Sequence, residues 1–122
     1  IIVGPELDAA SAGGPFVSAV CEATLRVAAD EDLAGRAKTL GDLLASKLDG
    51  QPGVAAVRGL GLLRAVALEG QAEPVAERLR QEFKILCGTC TDPRVILLAP
   101  PLVIDEETVE SLASAVARAA AS

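Results

Sequence analysis

The strongest constraint on the fold is a change of hydrophobic spacing in the middle of the chain. From Val54 to Leu68 the sequence is rich in Val, Leu and Ala, has no helical stripe, and contains Gly59 and Gly61. This pattern predicts either one long bent strand or two paired strands. On both sides of it, apolar residues recur every three or four positions, as they do on the buried face of a helix. The fold therefore combines a sheet with helices.

Helical spacing marks four segments around this β region. They are residues 15–29, a second segment that Asp30 is expected to cap and Gly50 to end, residues 74–83, and a last segment capped by Asp105. Further short strands are predicted at residues 85–87 and 95–98. Residues 1–14 are interpreted as a connector. Residues 15–122 are predicted to form an α+β two-layer domain, in which helices cover a small antiparallel or mixed sheet.

Composition limits both the class of protein and its partners. The 122 residues are 51% apolar with only two aromatics, which favours one compact domain with an aliphatic core. No apolar run has the roughly 18 residues of a membrane span, so no membrane partner is expected. The net charge of −6, without a basic cluster, argues against nucleic acid, and the cytosol is the expected compartment. The absence of Met predicts a fragment or a processed chain.

Three motifs, in the same order along the chain, resemble the C-terminal third of class III aminotransferases, which use pyridoxal phosphate (PLP). Residues 58–68 are similar to the family's V-R-G-x-G-L-[LM]-x-G-[IV]-E-L strand. Residues 94–107 are similar to V-I-R-[LF]-x-P-P-L and the strand-to-helix corner that follows it. Residues 13–15 lead into a small-residue helix and resemble part of S-T-F-G-G-N-P-L-A. The acetylornithine and ornithine aminotransferase branch is the most similar.

The resemblance implies a two-domain homodimeric enzyme that transfers amino groups to 2-oxoglutarate, as in arginine biosynthesis. In the family, the lysine that bonds PLP lies in the large domain, upstream of the matched segment. Lys38, Lys47 and Lys84 do not match its sequence context. PLP is therefore expected in the parent enzyme but not on this chain alone, which is predicted to be inactive. The large PLP-binding domain is the expected partner. The alternative is a non-catalytic aminotransferase-like module for binding or assembly.

The resemblance also places four candidate site residues. Leu97 occupies the position of the arginine that binds a substrate carboxylate in the family. Arg94, three residues before Leu97, is the candidate to bind the carboxylate in place of that arginine. On a strand, however, an offset of three puts the two side chains on opposite faces. Ser11 matches the residue that reaches the PLP phosphate of the neighbouring subunit, unless it is an ordinary loop serine. Arg58 matches the family's R-G-x-G arginine, and a structural pairing with a carboxylate or helix end is expected for it.

One motif stands outside the resemblance, namely the C-x-x-C formed by Cys87 and Cys90. Such a pair is either redox-active or half of a zinc site. Only Cys21 remains as a further thiol, and the chain has no histidine. The absence of histidine also excludes a Ser-His or Cys-His nucleophile pair. Reduced thiols are therefore expected, with a small redox protein as the remaining alternative.

Overall fold

A computed structural model describes residues 14–121 of the chain, which fall into two compact units divided between Leu33 and Ala34. Most of the predicted connector, including Ser11, lies outside the described residues. The elements, in chain order, are α1 (Pro15–Asp30), α2 (Leu33–Leu48), β1 (Val54–Leu60), β2 (Leu63–Leu68), α3 (Ala72–Phe83), β3 (Gly88–Thr89), β4 (Val95–Leu98) and α4 (Glu106–Ala120).

The first unit contains α1, which has Pro15 at its first turn and no buried residue. Its apolar side chains are exposed, with Phe16 at 80% and Leu25 at 71%. The helix itself was predicted, but the expected N-cap at Asp30 is wrong because Asp30 is the last residue of α1. The backbone N–H of Glu31 still donates to an α1 carbonyl, so the chain turns only after that point. The next helix begins at Leu33.

The second unit contains a four-stranded antiparallel sheet in the order β1-β2-β4-β3. β1 and β2 pair with each other, so the two-strand alternative for the central β region is confirmed. The strand predicted at residues 85–87 is wrong, because β3 is Gly88–Thr89. The backbone N–H of Ile85 donates to the carbonyl of Leu79 at the end of α3. That N–H is therefore unavailable for a sheet, and pairing starts three residues later.

The core lies between one face of the sheet and the helices of this unit. Alternate residues of the central strands are fully or almost fully buried, including Val66, Ile96 and Leu98. They join one hydrophobic cluster with helix residues such as Leu44 and Val109, both 0% exposed. Each such side chain contributes about 1.5–3 kcal/mol by leaving water. The predicted α+β two-layer architecture is confirmed, and on the opposite face of the sheet, called here the open face, the strand residues are exposed or half-buried among the described residues.

The last helix begins as the sequence predicts. Asp105 has an extended backbone conformation and its Oδ1 accepts a hydrogen bond from the backbone N–H of Thr108 at 2.7 Å. This satisfies one of the N–H groups that the first turn of a helix leaves without a carbonyl partner. Hydrogen bonding from the Thr108 side chain, together with this bond from the Thr108 backbone, holds the pKa of the Asp105 carboxyl below its usual range. The segment Ala99–Pro101, called here the A-P-P corner, is therefore followed by a helix whose first turn is fixed by the Asp105 cap.

Candidate functional site

Leu97 lies on the open face of the sheet. In β4 the residues alternate, with Ile96 and Leu98 buried against the helices and Leu97 half-buried on the other side. Leu97 pairs directly with Ala65 of β2 and with Gly88 of β3. Because direct partners in an antiparallel sheet point to the same face, all three positions belong to the open face.

The register extends this line to Arg58, which pairs with Ala65 in β1. Arg58, Ala65, Leu97 and Gly88 thus form one row across four strands, called here the open-face row. Arg58 and Leu97 lie two strand spacings apart, about 10 Å between backbones. Between them stands only the methyl group of Ala65. Beyond Leu97, a side chain at Gly88 would begin 3.3 Å from the Leu97 Cβ, so Leu97 closes that end of the row.

Arg58 has no hydrogen bond or ion pair with any residue from 14 to 121. It is exposed, and the described residues supply neither a carboxylate nor a helix end for it. The structural pairing expected from the sequence is therefore not found within this part of the chain. Its guanidinium is thus a cation of the open-face row without a partner among residues 14–121.

Arg94 does not belong to the open-face row. It precedes β4, its backbone N–H donates to the Asp92 carboxylate at 2.9 Å, and its carbonyl accepts from Leu68. Arg94 lies in the turn that leads into β4, so the alternation of strand side chains does not extend to it. The structure therefore does not include Arg94 in the paired row that contains Leu97.

The sequence interpretation missed Arg64, the one buried charged residue among the described positions. Its Nε donates to the carbonyl of Gly61 at 2.7 Å, its Nη1 to that of Gly59 at 3.2 Å, and its Nη2 to Asp42 Oδ1 at 2.9 Å. These bonds fix the β1–β2 turn against α2. The sequence contained a signal for this position. Arg64 is two residues from both Leu62 and Val66, so on a strand its side chain lies on the same inward face as theirs.

The two cysteines of the C-x-x-C motif stand at opposite ends of β3, and both thiols are free. Three residues of extended chain span about 10 Å, whereas a disulfide requires Cα atoms within about 7 Å. Cys87 packs against the core cluster, and burial raises the pKa of its thiol. Within residues 14–121 no group of three or more His, Cys, Asp or Glu side chains is arranged to hold a metal ion. This geometry favours reduced, separate thiols.

The three lysines have other partners in the structure. Lys47 forms a 2.7 Å ion pair with Glu110, and that hydrogen bond raises the pKa of its ammonium group. Lys38 lies 3.6 Å from Asp42. Lys84 donates to a main-chain carbonyl at the end of α3. None of them lies on a strand.

Two surface cavities flank the A-P-P corner, and Ala99 and Pro100 line both of them. The first, of about 390 Å³, is apolar except for the hydroxyls of Thr108 and Ser111. The second, of about 420 Å³, has only apolar side chains and glycine. Neither has a charged lining residue, so a carboxylate has no cationic partner there. The open-face row is therefore the better candidate for binding an anionic ligand.

None of the helices in residues 14–121 is long and apolar enough to cross a membrane.

Comparison with known proteins gives a consistent result across sequence and structure. The model of the family described as Aminotransferase class-III matches residues 6–120. Ornithine aminotransferase 2 of Staphylococcus saprophyticus is 40% identical over 100 residues, covering 80% of this chain and 25% of the relative. The Bacillus subtilis ornithine aminotransferase is 41% identical over 100 residues, with 80% and 24% covered. The chain thus spans about a quarter of the length of these relatives.

Solved structures agree with the sequence relatives. The acetylornithine aminotransferase of Elizabethkingia anophelis superposes with a TM-score of 0.79 at 31% identity, covering 97% of this chain and 31% of that one. The Toxoplasma gondii ornithine aminotransferase gives 0.78 at 31% identity, with 96% and 30% covered.

Proposed function

Because this chain belongs to the class III aminotransferase family, we propose that its residues 15–122 form the C-terminal small domain of an ornithine- or acetylornithine-type transaminase. The observation that carries the proposal is the 40% identity to ornithine aminotransferases over 100 residues. In this proposal residues 1–14 connect the small domain to the large domain. The enzyme is a homodimer that transfers amino groups to 2-oxoglutarate.

In the proposed enzyme PLP is held by the large domain and supplies the electron sink for amino transfer. In this proposal the lysine that bonds PLP belongs to the large domain, because Lys38, Lys47 and Lys84 do not match the sequence context that the family keeps around that lysine. This chain alone is therefore proposed to be inactive and to bind no PLP. Ser11, as a contact to the PLP phosphate of the neighbouring subunit, remains a proposal because it lies outside the described residues. The small domain contributes binding surface next to the reaction, through the open face of its sheet.

The test is expression of the complete reading frame that contains this segment. We expect the purified protein to show the absorbance of enzyme-bound PLP and to transfer amino groups from ornithine or acetylornithine to 2-oxoglutarate. The 122-residue chain, purified in parallel, serves as the control and is expected to show neither property. A complete protein that binds no PLP and transfers no amino group would overturn the proposal.

A second candidate, the non-catalytic module, is favoured by one observation. The aliphatic side chain of Leu97 stands where the resemblance places a carboxylate-binding arginine. If the enzyme proposal is right, substituting Leu97→Arg in the complete protein lowers the KM for ornithine or acetylornithine, because a cation is restored to the open-face row. An unchanged KM in an active enzyme would count against the match between Leu97 and the family's arginine. No activity in either form would favour the module.

A further inference from the structure

The open face of the sheet carries a single charge. Among all residues of the four strands only Arg58 and Arg64 are ionisable cations, and no strand residue is acidic. Arg64 points toward the helices, where its three nitrogen atoms already have partners. Arg58 is on the other face and has no partner within residues 14–121.

The residues beside Arg58 on the open face are aliphatic. Along the row toward Leu97 the intervening residue is Ala65, and the positions before and after Ala65 on the same face are Leu63 and Ala67. The row between Arg58 and Leu97 therefore carries only the methyl group of Ala65. The surface around it is aliphatic, which strengthens a charge–charge contact once water is excluded from it.

A guanidinium group in this setting favours one class of ligand. Its planar set of N–H donors matches a carboxylate with two parallel hydrogen bonds. The sheet offers no carboxylate of its own, so the partner comes from outside these strands. A strand also holds the arginine more rigidly than a loop does, which suits recognition of a defined substrate.

We propose that Arg58 is a specificity-determining residue that binds a substrate carboxylate from the open face, in place of the aliphatic residue at position 97. This inference rests on the proposed function, because it needs an enzyme with a carboxylate-bearing substrate. Arg58 acts from β1, two strands away from Leu97 but on the same row. The bound carboxylate then lies above Ala65, between the two positions.

The experiment uses the complete protein and two unreactive probes of equal length, glutarate and its uncharged diamide glutaramide. Affinities are measured by calorimetry for the unsubstituted protein and for Arg58→Gln, Arg58→Lys and Arg94→Gln. We expect glutarate to bind more tightly than glutaramide, and Arg58→Gln to weaken glutarate binding about tenfold or more. Arg58→Lys should fall between the two, because it keeps the charge but loses the bidentate contact. Arg94→Gln should match the unsubstituted protein.

Kinetics and folding add readouts that separate the two proposals. In Arg58→Gln the KM for carboxylate substrates should rise with little change of kcat. The thermal midpoint should stay unchanged, because the side chain is exposed and has no partner within residues 14–121. Equal glutarate affinity in Arg58→Gln and the unsubstituted protein would overturn the inference, as would a loss confined to Arg94→Gln. If amino transfer occurs without any dependence on Arg58, the inference fails and the proposed function stands. If glutarate binding depends on Arg58 but no amino group is transferred, the proposed function fails instead.

Discussion

Arg64 provides the sharpest test of what holds the β1–β2 turn in place. Its side chain is 8% exposed and donates to two main-chain carbonyls of the turn and to Asp42 on α2. The substitution Arg64→Met keeps a long side chain against the core but removes all of these hydrogen bonds. The turn residues Gly59 and Gly61 then lose their only side-chain donor among the described residues.

The magnitude follows from the environment of each partner. Hydrogen bonds to a charged donor contribute about 1.5–3 kcal/mol each, and two of them go to turn carbonyls. Water replaces part of this contribution, because Gly61 is only half-buried and Gly59 is exposed. The contact with Asp42 adds little, because that carboxylate is 61% exposed. We therefore expect Arg64→Met to lower the free energy of unfolding by about 2–3 kcal/mol.

Urea-induced unfolding, followed by far-ultraviolet circular dichroism, measures this change. The matched control is Arg58→Met on the neighbouring strand. It alters an exposed arginine that has no partner in the described part of the chain, and it should change stability by less than about 0.5 kcal/mol. A similar small effect for Arg64→Met would refute the reasoning. It would mean that the cost of burying the guanidinium cancels its hydrogen bonds.

Three further predictions concern α2, α4 and β3. Gly41→Ala should destabilise the protein by about 2 kcal/mol despite alanine's better helix propensity, because the added Cβ overlaps a carbonyl of the β1–β2 turn. Urea unfolding measures it, with Gly70→Ala, where a Cβ meets nothing, as the control. The Asp105 carboxyl, whose pKa is lowered by hydrogen bonds from the side chain and the backbone of Thr108, should stabilise the protein above the usual carboxyl pKa. That contribution should be lost as pH falls through the lowered pKa in the folded state, and Asp105→Asn should remove this pH dependence of the melting temperature while keeping the cap. Iodoacetamide near neutral pH should label Cys90 before Cys87, because burial raises the pKa of the Cys87 thiol, as read by peptide mass spectrometry.

Each of these predictions has a contrary outcome. Equal stability of the two alanine variants would show that α2 moves freely away from the turn. An acid-induced loss of stability that is the same with and without the Asp105 carboxylate would assign that loss to other groups. Labelling of Cys87 as fast as, or faster than, Cys90 would contradict the effect of burial on the Cys87 thiol.

Local chemistry explains which elements were predictable. The apolar stripe of α2 and the cap at Asp105 depend on neighbours within a few residues, so the sequence displays them directly. The residue type was misleading at Asp30. Aspartate favours the N-cap of a following helix, but here it is the last residue of the preceding helix, α1. At residues 85–87, β-type composition did not reveal that the N–H of Ile85 closes α3. The strand propensity of residues 85–87 does not predict that one of them donates a hydrogen bond to the end of the preceding helix.

The sequence by itself determined the α+β class, the positions of most helices and the family, because periodicity and motifs are properties of short segments. The alternation of side chains along β2 also predicts that Arg64 lies on the inward face of the sheet. Only the tertiary structure decided the strand order and register that place Arg58 and Leu97 in one row, 39 positions apart in sequence. Register is set by which face of each strand the helices bury, and a shift of one residue would move Arg58 to the other face. For that reason the position of Arg58 on the open face, in one row with Leu97, becomes visible only when the strands are paired.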